Sequence, residues 1–236
     1  MFLFKPMTLL IALLTACLPD IAVAQTSNNL YEWYDAATGS TSMYNGPMYF
    51  NQYRTQNPSN NPFLALDEYS KGNVLYDGQP YFNINLKYDI HRDLLLLQPL
   101  DGSTNRSVIF IPERTASFVV LGKKFVNPGY NKEVPESVKG YFEENLVAAH
   151  FTFYIKHRKT VREIIHNETL LNDFSPAYDF VVLKDGAFHT VKSKKNVISL
   201  FPALKTEINK YYSSNAKNSD LRFMEGLFRH INSILK

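Results

Sequence analysis

Six histidines, at positions 91, 150, 157, 166, 189 and 230, and a few paired carboxylates are the residues through which this chain would do chemistry. A zinc centre needs three or four convergent ligands. The spacings that deliver them, His-Glu-x-x-His or paired cysteines, do not occur. What survives of metal chemistry is its weakest form, a metal-dependent hydrolase assembled from scattered His and Asp. Nucleophilic catalysis lacks a Gly-x-Ser-x-Gly elbow, and the only cysteine, Cys17, falls in an N-terminal leader. Asp67-Glu68, Glu143-Glu144 and Asp77 with Asp89 offer carboxylate pairs, but glycosidase acids need a fixed separation across a cleft. Solvated turns and strand edges are the expected places for these acids, since carboxylates are mostly exposed. The sequence therefore predicts no catalytic residue, no metal ligand and no cofactor.

His91-Arg92-Asp93-Leu94-Leu95-Leu96-Leu97-Gln98 mimics a kinase catalytic loop, with Gln98 where a metal-binding Asn belongs. No Gly-rich nucleotide loop accompanies it, and Asp173-Phe174-Ser175 is a poor substitute for Asp-Phe-Gly. Asp93 reads more simply as a strand-end residue. Of the six histidines, His150 and His157 flank a predicted strand near its ends. The remaining ligand candidate is aromatic. Tyr31, Trp33 and Tyr34, with asparagines nearby, would make a stacking surface for sugar or peptide; the plainer alternative is strand core at a sheet edge.

The elements that would position these residues are mostly strands. Tyr44-Asn45-Gly46-Pro47-Met48-Tyr49 and Tyr76-Asp77-Gly78-Gln79-Pro80-Tyr81 share a pattern, and Leu183-Lys184-Asp185-Gly186-Ala187-Phe188 is a looser copy. Asn-Gly and Asp-Gly supply the positive φ of tight hairpin turns, so all three are read as hairpins. Val74–Tyr76 and Tyr81–Leu86 should pair around Asp77-Gly78. Leu94–Gln98, Val108–Ile111 and Ser117–Phe125 follow as strands, with Lys123 and Lys124 at an edge. Tyr141–Val147 and Phe151–Lys156 are two more, the second with period-two alternation. Asn57–Pro62 and Asn127–Val134 are proline-held loops. The period then changes. Val197, Leu200, Phe201, Leu204, Ile208 and Tyr211 recur at helical spacing behind a Ser193 cap, and Pro202 opens a second piece. Leu221 to Leu235 carries a cleaner amphipathic stripe, capped by Ser219 or Asp220.

The fold class is thus α+β, a predominantly antiparallel meander forming a curved sheet or partial barrel, with C-terminal amphipathic helices on one face or end. Lys5, the apolar run Met7–Leu18, Pro19 and Ala22-Val23-Ala24 form a signal peptide over 1–24. Cleavage there leaves one exported domain, 25–236, β-rich over 40–192 and helical over 194–236. An alternative is a lipobox, Leu14-Thr15-Ala16-Cys17, which would acylate Cys17 and tether the protein. The apolar run, 12 residues long, is too short for a retained span, which needs about 20, so the mature chain has no transmembrane segment. Without further cysteine there is no internal disulfide, and stability must come from burial, to which 17 Phe and 15 Tyr contribute. Charge is uneven: residues 1–149 are net −3 and 150–236 net +6. No Arg/Lys cluster is interleaved with aromatics as single-strand nucleic-acid surfaces require, so nucleic acid is excluded as a partner.

Gly72-Asn73-Val74-Leu75-Tyr76-Asp77-Gly78-Gln79-Pro80-Tyr81, Leu86-Lys87-Tyr88-Asp89-Ile90 and Asp93-Leu94 resemble an uncharacterised family of exported envelope proteins from Gram-negative bacteria. Phe180–Gly186, Val191-Lys192-Ser193-Lys194-Lys195 and Leu200-Phe201-Pro202 are similar to its C-terminal pattern. The resemblance implies location, in the periplasm, at the outer membrane or secreted, and layout, but no activity. Together these readings predict a non-enzymatic envelope protein, structural or binding, whose partner would be envelope protein, polysaccharide or lipid. The alternative is a periplasmic carrier of lipid or another hydrophobic ligand, held inside the sheet.

Overall fold

Asp77 and Gly78 fold as their types dictate, with φ of 53° and 76°, and turn β2 (Ser70–Tyr76) directly into β3 (Gln79–Asp89). The structure is a computed structural model that describes residues 41–98, 106–215 and 220–235. Asp185 and Gly186, at 51° and 77°, do the same between β10 (Thr169–Lys184) and β11 (Ala187–Val191). The third expected hairpin does not form. Thr41–Asn45 is a 3₁₀ turn leading into a two-residue strand, β1 (Met48–Tyr49). Gly46 is needed there for space: a Cβ would sit 1.8 Å from the Ile109 carbonyl oxygen.

Ser117–Phe125 is not one strand. Leu121 and Gly122, at φ 52° and 73°, fold it into β6 (Thr115–Val120) and β7 (Lys123–Val126). A leucine in the left-handed region costs about 1–2 kcal/mol, so Leu121 masks the turn that Gly122, at positive φ, marks by its type. Lys123 and Lys124 consequently lie inside the sheet rather than at an edge. They are salt-bridged across to Glu143 (2.8 Å) and Glu144 (2.6 Å) on β8 (Phe142–Val147). The next strand is also longer than its core alternation indicates. β9 spans Thr152–His166 and pairs with all but the end of β10 through a turn at Asn167-Glu168.

With β4 (Leu94–Leu97) and β5 (Ser107–Ile109), eleven antiparallel strands among the described residues form one open sheet, ordered β1-β5-β4-β3-β2-β6-β7-β8-β9-β10-β11. The meander breaks twice: β1 pairs with β5 rather than with β2, and β6 returns to the free side of β2. Tyr88, Phe118, Phe125 and Tyr141 pack edge-to-face and stacked at 4.9–5.9 Å in the core of the first half.

Helices cover the second half. Ser193 caps α1 (Lys194–Leu200) by accepting from the Asn196 amide. Pro202 begins a 3₁₀ turn, Pro202–Leu204, that continues into α2 (Lys205–Ser214). α3 (Asp220–Leu235) buries Met224, Leu227, Phe228 and Ile231, and Phe228 stacks on Phe153 of β9 at 4.1 Å. Asp220 is thus the first helical residue, while Ser219 lies outside the described residues. Among the described residues no helix is long and apolar enough to cross a membrane.

Candidate functional site

Tyr31, Trp33, Tyr34 and Cys17 lie outside the described residues. Among the described residues no three or more of His, Cys, Asp and Glu converge as metal ligands would. His150 is exposed just before β9, as its position beside a strand implies. His157 is not at a strand end: it lies within β9, 5 % exposed, with Nε2 2.5 Å from Glu143.

The acids are likewise not all solvated. Asp89, at the end of β3, is fully buried and accepts from Tyr49 Oη (2.9 Å), the His91 and Arg92 amides (3.0 and 2.9 Å) and Arg92 Nε (2.9 Å). Asp93 does sit at a strand boundary, with φ 60°, but it accepts from Tyr88 Oη and Lys156 Nζ, each at 2.5 Å. The kinase-like sequence is therefore a brace between turn and sheet.

Glu143 is the third such acid. Lys123 Nζ donates to it at 2.8 and 2.9 Å, and Asn145 Nδ2 joins it to Glu225 of α3 with two 3.0 Å bonds. Burial works to raise its pKa, but hydrogen bonds from His157, Lys123 and Asn145 outweigh that and hold it at about 2, against an ordinary 4.5. A depressed carboxyl stabilises the fold above its unfolded pKa, and that contribution is lost as pH falls through the folded one. Unfolding followed against pH should accordingly show stability falling between about 4.5 and 2. Glu143→Gln should be less stable at neutral pH and lose this part of the acid limb. An acid limb unchanged in that variant would contradict the assignment.

The three carboxylates are each held by several donors, which suits bracing better than proton transfer; in the Glu143 network Asn145 Oδ1 is buried without a partner among the described residues. Unpaired backbone groups are found at the edge of β10. Because the β9–β10 ladder starts from the bonded pair His166–Thr169 beside a two-residue turn, odd-numbered residues of β10 bond β9 and even-numbered ones face away. Three contacts agree with this parity. The Asn172 amide donates to the Arg54 carbonyl (2.6 Å), the Phe174 amide to Asn60 Oδ1 (2.7 Å), and Phe180 pairs with Val191 of β11.

Between Phe174 and Phe180 the outward edge has no partner strand among the described residues. Pro176 falls on the outward parity, where no ladder N–H is required. The Pro176 carbonyl and the Tyr178 N–H and carbonyl are left without a backbone partner among the described residues.

A groove of about 400 Å³ opens at this edge, where the chain leaves β11 for α1. Tyr178 and Phe180 meet Phe223 and Met224 of α3 along it, and Lys192 and Lys194 also line it. Asp179 is matched by Arg158 at 2.8 Å, whereas Lys192 and Lys194 have no acidic partner among the described residues; Lys194 lies over the Tyr212 ring at 5.5 Å. The sequence carried one signal of this edge, Pro176 within a strand-forming stretch. No family model, curated protein or solved structure matches the chain.

Proposed function

We propose that the chain is an exported, non-enzymatic binding module of the cell envelope, and that the groove beside β10 is where it binds. The observation that carries this is the coincidence, among the described residues, of an unpaired strand edge, an apolar floor and two lysines without counter-charge at one concavity. The buried acids support the same reading, since each is enclosed by donors. Export rests on the predicted leader, 1–24, and on the family resemblance. The packed aromatics between Tyr88 and Tyr141 favour a surface ligand over one carried inside the sheet.

The purified chain should turn over no ester, peptide, glycoside or phosphoester in a hydrolase panel. Envelope peptide, polysaccharide and lipid fractions added to the ¹⁵N-labelled chain should shift amides at Tyr178, Thr190 and Met224. Turnover that survives repurification, or shifts confined to other surfaces, would overturn the proposal.

A further inference from the structure

We infer that the groove takes an extended, acidic polypeptide segment, which adds as a strand to the open edge of β10; this rests on the binding-module reading above. The chain itself already shows how this edge is satisfied. On one side of the gap β11 supplies a strand as far as Val191, opposite Phe180. On the other side a side chain imitates one: Asn60 accepts from the Phe174 amide through Oδ1 and donates Nδ2 to the Phe174 carbonyl at 3.3 Å.

Between these two caps, Phe174 to Phe180 spans about 20 Å at strand rise, room for roughly six residues. An incoming strand would pair with the Tyr178 N–H and carbonyl and the Pro176 carbonyl, the mode in which backbone bonds give affinity and alternate side chains give selectivity. Pro176 donates nothing, so the pairing centres on Tyr178.

The surroundings set the chemistry of the segment. One face of an added strand would meet Tyr178, Phe223 and Met224, favouring apolar or aromatic residues at alternate positions. Lys192 and Lys194 stand where β11 ends, and Arg158 already neutralises Asp179, so the unmatched charge at the groove is positive. Acidic residues at that end of the segment complement it. A lipid surface would use the two lysines but leave the Tyr178 backbone unpaired, so the edge favours peptide.

The test is selection of a random decapeptide display library on the immobilised purified chain, with Lys192→Glu/Lys194→Glu run in parallel. Both lysines are at least partly exposed, and an unchanged thermal melt checks that the variant folds. Acidic sequences should be enriched at least tenfold, and the charge reversal should remove that enrichment. N-methylation of alternate residues in a selected peptide should weaken binding tenfold or more in one of the two registers, because it removes backbone donors without altering the protein.

No acidic enrichment, enrichment indifferent to the reversal, or binding indifferent to N-methylation in both registers would overturn the inference. If phosphatidylglycerol vesicles or polysaccharide, and not peptides, shift the Tyr178 and Met224 amides, the peptide assignment falls while the binding-module reading stands. Turnover in the hydrolase panel would instead bring down the binding-module reading.

Discussion

Replacing Asp89 with alanine should remove about 3–5 kcal/mol of stability, the cost of leaving a buried charge and its donors unpaired. Asp89 has no exposed surface and serves three elements at once. Its Oδ1 accepts from the His91 and Arg92 amides and so fixes the turn between β3 and β4. Its Oδ2 accepts from Arg92 Nε and from Tyr49 Oη, which holds the edge strand β1. Arg92 in turn lies over the Tyr49 ring at 4.2 Å and donates to the Phe50 carbonyl at 3.2 Å.

Without the carboxylate, the guanidinium, the phenol and two amides lose their acceptor together. Domain stabilities are about 5–15 kcal/mol, so the variant should retain only part of the native value. Urea unfolding measures this directly. The double variant Asp89→Ala/Arg92→Met should recover part of the loss, because it removes the stranded cation as well. A loss below about 1 kcal/mol in the single variant, the range of an exposed pair, would contradict the buried network.

What the sequence disclosed and what it hid follow from the range of the forces involved. The Asp77-Gly78 and Asp185-Gly186 turns, the Ser193 cap and the Pro202 break were legible because each is a local backbone preference. Leu121-Gly122 was not, since a leucine at positive φ is held there by the pairing of β6 with β7. The outer part of β9 escaped because Arg158 to Glu163 are largely exposed and show no core alternation, and among their β10 partners, Asn172 to Ala177, only Phe174 is buried.

The buried acids were hidden for a further reason. Glu143 meets Lys123 twenty residues away and His157 fourteen away, and Asp89 meets Tyr49 forty residues away. Only the strand order brings them together, and a buried carboxylate reads in sequence like any other. The binding edge combines both cases. Pro176 marks an edge by its chemistry, but that the edge lies between Asn60 and Val191, with Lys192 and Lys194 beside it, depends on where β11 stops.

Tyr178 is mid-strand in the β9–β10 ladder, yet its own N–H has no partner among the described residues. Amide hydrogen exchange in the ligand-free chain reads that state residue by residue, since protection requires a bonded amide. Asp179 bonds inward to β9 and Phe180 outward to β11 on the ladder parity, so both serve as internal standards one and two residues away. The Tyr178 amide should exchange at least a hundredfold faster than either, and should slow towards them when a selected acidic peptide is bound. A Tyr178 amide protected as well as Asp179 and Phe180 in the free chain would mean that the edge is already closed, and would contradict the account.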